Sequence, residues 1–293
     1  MTELIPALSA IADRYDVVLC DLWGCLHNGK TAFAEAVAAL RAFRDRGGRV
    51  VLLTNAPRPN SAVIAQLDRL GVPRDGWDMV ASSGDAAQEA ILAGLVGRKV
   101  YHLGPEKDAI LFTEIPPSHA DAPPVERVPL AEAEGIVCTG PFDDLTETPE
   151  DYRATLLFAK AKGLPMICAN PDIVVDLGDK RIYCAGAIAR LFEDMGGEVH
   201  YFGKPYPPIY DLTRRRLAAT GGALAGDRVL AIGDGITTDI AGGIAEGFDT
   251  LFVTGGLAAA EFGPDPDRPD PERLRRWLDD RLSSPTYAIG RLR

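Results

Sequence analysis

The sequence predicts an α/β fold in which a parallel sheet is covered by helices. Two observations carry this. Short apolar runs alternate with amphipathic segments almost throughout the 293 residues, the pattern of a sheet buried on both faces. Polar residues capable of chemistry, led by Asp21, directly follow several of those runs, where open α/β sheets place their ligands. A composition of 46% hydrophobic and 25% charged residues is that of an ordinary globular chain.

Val17-Val18-Leu19-Cys20 is the first clear strand, with Asp21 at its C-terminal end before a turn containing Gly24. Residues 32–46 read as a helix ended by Gly47-Gly48, 50–53 as a strand, and 61–70 as a helix stopped by Gly71 and Pro73. A strand over 79–81 runs into Ser82-Ser83-Gly84-Asp85, whose hydroxyls and carboxylate suit the start of a helix over 86–95. A second series begins near residue 98, with strands over 99–103, 135–139 and 165–169 and helices over 149–162 and 185–195. Within it, residues 115–129 are rich in proline and polar groups and read as a surface loop. Strand, helix and strand return at 198–202, 208–220 and 228–232, followed by a helix over 238–246 and a strand over 250–253. Residues 264–270 form a Pro/Asp linker before a charged helix over 271–282. Two layouts fit: one long sheet, or a first domain interrupted by an inserted one and then resumed.

The net charge of −11 disfavours a nucleic-acid backbone as the main partner. A small phosphorylated ligand needs only a local cationic pocket, so it stays open. The first 16 residues lack the basic and apolar regions of a secretory signal. No apolar stretch approaches the ~20 residues of a membrane span, and the expectation is a cytoplasmic protein with no membrane partner. The five cysteines (Cys20, Cys25, Cys138, Cys168, Cys184) show no C-x-x-C spacing and are expected as buried reduced thiols. Cys25 lies close enough to Asp21 to suggest a nucleophile, with no second feature in support. A dinucleotide-binding oxidoreductase is disfavoured, because no G-x-G-x-x-G follows the first strand.

Three short segments join Asp21, each at a strand end. Thr54-Asn55 offers a hydroxyl and adjacent backbone N–H groups for phosphate oxygens. Gly203-Lys204-Pro205 supplies a point cation. Gly233-Asp234-Gly235-Ile236-Thr237-Thr238-Asp239 is an acidic loop running into a helix. Asp21, Asp234 and Asp239 together form an all-oxygen cluster, the ligand set of Mg²⁺ rather than Zn²⁺. Each segment alone reads as a common turn; their order and placement together point to phosphoryl transfer.

In these segments the chain resembles the haloacid dehalogenase superfamily of aspartate-nucleophile phosphatases, and more closely the class with a large α/β cap between the second and third motifs. The resemblance covers nearly the whole chain. It places Asp21 at the nucleophile position, Thr54 in the second motif, Lys204 in the third, and Asp234 with Asp239 in the fourth. It implies a doubly wound parallel sheet core, residues 1–84 plus 198–293, with an inserted α/β cap domain over residues 85–197. Asn170-Pro171-Asp172 resembles a cap motif near the substrate, making Asn170 and Asp172 candidate substrate-binding residues. The implied mechanism is attack by Asp21 on phosphorus and hydrolysis of the aspartyl-phosphate. Mg²⁺ would be held by Asp21, Asp234, the Trp23 carbonyl and, directly or through water, Asp239. Lys204, Thr54 and Asn55 would stabilise the transferred group.

One position departs from that pattern. The family's first motif is Asp-x-Asp, whose second Asp protonates the leaving oxygen and then deprotonates water; here it is Trp23. An indole offers only a very weakly acidic N–H. Loss of general acid–base catalysis is worth ~10²–10⁴-fold, which predicts an attenuated phosphatase rather than an inert fold. His27 is the nearest replacement in sequence; Trp23 itself is expected to fill the vacated space, and Asn28 and Lys30 to belong to a solvated flap. The alternative is a non-catalytic protein that binds a phosphorylated ligand in the same pocket.

Overall fold

The structure, a computed structural model, describes residues 2–224 and 228–293. In chain order the strands are β1 (Glu3–Leu4), β2 (Val17–Cys20), β3 (Arg49–Thr54), β4 (Met79–Ser82), β5 (Lys99–Leu103), β6 (Glu126–Arg127), β7 (Gly135–Cys138), β8 (Met166–Cys168), β9 (Val174–Leu177), β10 (Lys180–Tyr183), β11 (Val199–Tyr201), β12 (Val229–Gly233), β13 (Asp249–Val253) and β14 (Tyr287–Ile289). They form two separate parallel sheets and one antiparallel hairpin rather than a single continuous sheet. The first sheet has the order β1-β14-β13-β12-β2-β3-β4, and the second β11-β8-β7-β5-β6. The hairpin is β9-β10.

The central strands β2 and β12 are buried along their whole length, because both sheet faces are covered. Successive side chains point to opposite faces. Val18 and Cys20 therefore pack with Leu40 and Phe43 of the helix Ala34–Asp45 and Leu67 of Asn60–Arg69. Val17 and Leu19 pack on the other face with Ile209, Tyr210 and Leu217 of the helix Pro207–Ala219. The first sheet is thus doubly wound. The second is also covered on both sides: Leu156, Ile188 and Phe192 lie on one face, and Ala87 and Ile91 of the helix Ser83–Ala93 on the other.

Chain passes between the sheets at two adjacent places. At the first, Ser82 caps the helix Ser83–Ala93: its Oγ accepts from the Asp85 N–H at 3.0 Å, and Asp85 accepts in return from the Ser82 N–H. The Ser82 hydroxyl also donates to the Arg58 carbonyl at 2.7 Å. At the second, Gly203 lies so close to Ser83, Asn55 and Pro171 that a Cβ there would stand 2.9, 2.4 and 2.6 Å from them. We expect Ser82→Ala to lower stability by about 1–2 kcal/mol through loss of the cap, read by urea unfolding; an unchanged midpoint would deny the cap that role.

Three features differ from the sequence reading. The strand after Gly196-Gly197, placed with the resumed first unit, instead pairs with β8 in the second sheet. The hairpin β9-β10 went unread, although Val174 to Tyr183 has a two-residue Gly178-Asp179 turn between short apolar segments. The helix expected over 238–246 begins with a π-type turn, Ile236–Ile240, in which the Ile240 N–H reaches back to the Gly235 carbonyl at 3.1 Å.

Candidate active site

Parallel neighbours in a sheet end at the same level, and that brings the acidic residues together. Cys20 at the end of β2 is in register with Ile232 of β12 and Leu52 of β3, so Asp21, Asp234 and Thr54 emerge at one edge. Lys204 arrives from the second crossing and is 2% exposed. Its ammonium donates to Asp21 Oδ1 at 2.6 Å, Asp239 Oδ1 at 2.6 Å and the Leu53 carbonyl at 2.9 Å, which uses all three of its protons. Burial pulls the Lys204 pKa down, but Asp21, Asp239 and Asp172 together hold it well above the ordinary value. Burial raises the Asp21 carboxyl above the usual carboxylate range, opposed by Lys204.

Asp234 is held by backbone rather than by a cation. Its Oδ2 accepts from the Leu257 N–H at 2.8 Å, and the carboxylate lies between Gly24 and Gly256, where a Cβ on either would sit 2.0 Å from Oδ2. Gly24 also has φ +73°, so both space and backbone require glycine there. Burial, then Asp21 and Asp239, push the Asp234 pKa well up. Asp239 accepts twice, from the Lys204 ammonium at Oδ1 and from the Gly235 N–H at Oδ2, the latter at 3.1 Å.

Asp21, Asp234 and Cys25 carry ligand atoms within 4.8 Å of one another. Burial raises the Cys25 thiol well above its ordinary value; protonated and soft, it suits neither a hard cation nor nucleophilic attack. The two carboxylates fit a hard divalent cation, with the Trp23 carbonyl as a neutral oxygen. The charge balance agrees: Asp21, Asp239 and Asp172 face the ammonium of Lys204, while Asp234 faces Asp21, Asp239 and Asp172.

Two cavities, about 340 and 250 Å³, both open onto Asp21, Trp23 and Asp172. Thr54 and Asn170 line the larger one. Asn55 turns its side chain away from that space: Oδ1 accepts from the Lys204 N–H at 2.7 Å, while Nδ2 donates to Asp172 Oδ1 at 2.9 Å. Asn170 Oδ1 accepts from the Asp172 N–H at 3.0 Å.

His27 lines neither cavity. It is 1% exposed, its Nδ1 accepts from the Gly29 N–H at 3.0 Å, and burial lowers its pKa to about 4. The Trp23 ring stands edge-on to it at 5.2 Å and lies under Gly29, where a Cβ would meet the ring at 2.5 Å. Trp23 thus fills space beneath the flap while still facing the cleft. Asn28 Oδ1 accepts from the Lys30 and Thr31 N–H groups, closing that flap turn.

Sequence reasoning missed part of the cleft. Leu177 and Ile182 of the unread hairpin line it, as do Arg58 and Asp108. Arg58 Nε and Asp108 Oδ1 are 3.6 Å apart, both buried and without a hydrogen bond. Burial pushes the Asp108 carboxyl up to about 6. The Gly-Asp turn could have revealed the hairpin; nothing in the sequence marks Asp108.

This fold and edge define a haloacid dehalogenase-type hydrolase core with a second α/β unit beside it. Family models agree: one described as haloacid dehalogenase-like hydrolase matches residues 18–115, and a second HAD-hydrolase-like model matches 201–273. A solved hydrolase of the haloacid dehalogenase-like family from Brucella suis 1330 is 40% identical, covering 99% of this chain and 100% of its own, with a TM-score of 0.85. The chain belongs to this family. It is also similar to D-glycerol 3-phosphate phosphatase of Mycobacterium tuberculosis, 29% identical over 86% of this chain and 67% of the relative. Ribonucleotide monophosphatase NagD of Escherichia coli K12 is 24% identical over 83% of this chain and 89% of its own. Among the described residues no helix is long and apolar enough to cross a membrane.

Proposed function

We propose that this protein is a Mg²⁺-dependent phosphatase of small phosphorylated metabolites, working through an aspartyl-phosphate on Asp21. The observation that carries the reading is the buried ion pair between Asp21 and Lys204 at a strand end, open to a cleft shared by both α/β units. The curated relatives named as phosphatases support it, and a solved relative in complex with magnesium supports the metal. Asp21 and Asp234, with the Trp23 carbonyl, would hold the ion, which when bound neutralises charge on the phosphoryl oxygens.

The chain's own residues do the rest. Asp21 is the nucleophile, and its ion pair with Lys204 fixes which oxygen faces phosphorus. Lys204 balances charge as the P–O bond to the leaving group breaks. Thr54 and the backbone N–H groups beside it hold phosphoryl oxygens at the end of β3. Asn55 acts from behind, tying the Lys204 backbone to Asp172. The second sheet, with the hairpin, is the cap: it would screen the reacting atoms from water and shape the space around the leaving group. On this reading the cap runs from residue 85 to the end of β11 at Tyr201.

The attenuation expected from Trp23 assumes that no other group protonates the leaving oxygen. His27, buried and bonded to Gly29, is not that group. The test of the function is phosphate release from p-nitrophenyl phosphate, whose leaving group needs no proton. We expect turnover with Mg²⁺ and its loss on chelation with EDTA, restored by Mg²⁺. Binding of inorganic phosphate with no turnover in any metal would favour the binding-protein alternative instead.

A further inference from the structure

We propose that Asp172 protonates the leaving oxygen and then activates the hydrolytic water, in place of the carboxylate whose position Trp23 occupies. The proposal rests on the phosphatase reading above. Among the carboxylates of the described residues, only Asp21 and Asp172 line both cavities. They come from opposite sides. Asp21 extends from β2 of the first sheet, whereas Asp172 follows β8 of the second. In-line transfer places the leaving oxygen opposite the attacking one, and so on the side of the cleft from which Asp172 enters.

The local bonding suits a proton-transfer group. Asn55 is oriented by the Lys204 N–H at its Oδ1, which leaves its amide N–H aimed at Asp172 Oδ1, 2.9 Å away. Asn170 Oδ1 fixes the Asp172 backbone at 3.0 Å. Asp172 Oδ2 makes no hydrogen bond to a described residue and remains for the substrate. Asp239 and Asp21 are bonded to Lys204, and Asp234 is enclosed between two glycines. Of the two carboxylates that line both cavities, Asp172 is the one not bonded to Lys204, and it remains free to exchange a proton with a group lying between them.

The charge environment agrees with this geometry. Burial raises the Asp172 carboxyl to about 6, against the pull of Lys204 and the hydrogen bond from Asn55, and Asp239 adds to the rise. Asp21 and Asp234 also face it, as do the buried thiols of Cys168 and Cys184. A carboxyl in that range can be both acid and base near neutral pH.

The steps balance. In the first, an Asp21 oxygen bonds to phosphorus, the bond from phosphorus to the leaving oxygen breaks, and the Asp172 proton passes to that oxygen to give a neutral alcohol. In the second, water oxygen attacks phosphorus and the bond to Asp21 breaks. A water proton returns to Asp172 and phosphate is released.

The test is Asp172→Asn, which keeps the shape and an acceptor for Asn55, measured in Mg²⁺ on glycerol 3-phosphate and p-nitrophenyl phosphate. In the parent, kcat/KM for the alkyl ester should fall as pH rises through the Asp172 pKa, because the protonated form is required, while the aryl ester should lack that limb. In Asp172→Asn the alkyl kcat/KM should drop by ~10²–10⁴-fold and the limb should vanish. The aryl ester should give a burst of one nitrophenolate per protein followed by slow turnover, since only hydrolysis of the aspartyl-phosphate still needs a base. Asp172→Glu should recover part of the alkyl activity. An equal loss on both esters, without a burst and with the alkyl limb intact, would overturn the proposal and leave Asp172 as a contact holding the two units together through Asn55. If the parent turned over neither ester, the phosphatase reading would fall, and this proposal with it.

Discussion

Asp21→Asn should abolish phosphate release from aryl and alkyl esters alike, by ~10⁴-fold or more, as removal of a covalent nucleophile does. The two ester classes separate this from loss of a proton donor. An amide cannot form the aspartyl-phosphate whatever the leaving group, whereas a missing acid spares activated esters. Fold loss is not the expected cause. Asn is isosteric, and Lys204 keeps its bonds to Asp239 and the Leu53 carbonyl. Removing one of several crowded carboxylates also relieves repulsion that raises the Asp234 pKa. Circular dichroism and urea unfolding should therefore match the parent. Acid quenching of the parent with ³²P-labelled substrate should trap phosphate on protein, and the variant should trap none. Retention of more than a few per cent of aryl turnover would place the nucleophile elsewhere.

Much of this site can be read in the sequence, because parallel sheets write it in a simple form. An apolar run ending in a polar residue marks a strand and its functional end together. Asp21, Thr54, Lys204 and Asp234 are legible for that reason, and the structure brings them to one sheet edge. Long-range pairing is written less clearly. Val199–Tyr201 is a three-residue strand of ordinary composition, and nothing in it says which sheet it joins. The short strands Glu3–Leu4 and Tyr287–Ile289 have the same weakness: they pair with each other from opposite ends of the chain. Side-chain direction is also hidden. Asn55 stands beside Thr54 in sequence, yet its amide turns to Lys204 and Asp172. His27 is close to Asp21 in number, but the flap turn takes its imidazole out of the cleft. Sequence proximity suggested His27 as the proton donor, whereas the geometry favours a residue from the other unit.

Lys204→Met should weaken both the fold and the chemistry, and the way each loss responds to pH and Mg²⁺ should identify the cause. Met keeps most of the buried stem and removes only the ammonium. Asp21 and Asp239, each 2.6 Å from that ammonium in the parent, are then left buried without it, and the Leu53 carbonyl loses a donor. Breaking a buried ion pair from one side costs about 3–5 kcal/mol. The sign with pH follows from the carboxylates. Burial already raises Asp239 to about 6 and Asp21 above its usual range, with Lys204 opposing both. Without Lys204 their folded-state values rise further above those of the unfolded chain. A group raised in this way favours folding while protonated, and that advantage is lost as pH rises through its folded value. The deficit relative to the parent should therefore be larger at pH 8 than at pH 5.5 by urea unfolding. Saturating Mg²⁺ should narrow it, since a cation shared by Asp21 and Asp234 restores part of the missing positive charge. Turnover of p-nitrophenyl phosphate should nonetheless stay ~10²–10³-fold low, because Mg²⁺ can replace charge but not the contact that fixes the Asp21 oxygen. A deficit below about 1 kcal/mol that is the same at both pH values would mean the pair has the small value of an exposed one. Lys204 would then not be the counter-charge that keeps Asp21 ready for attack.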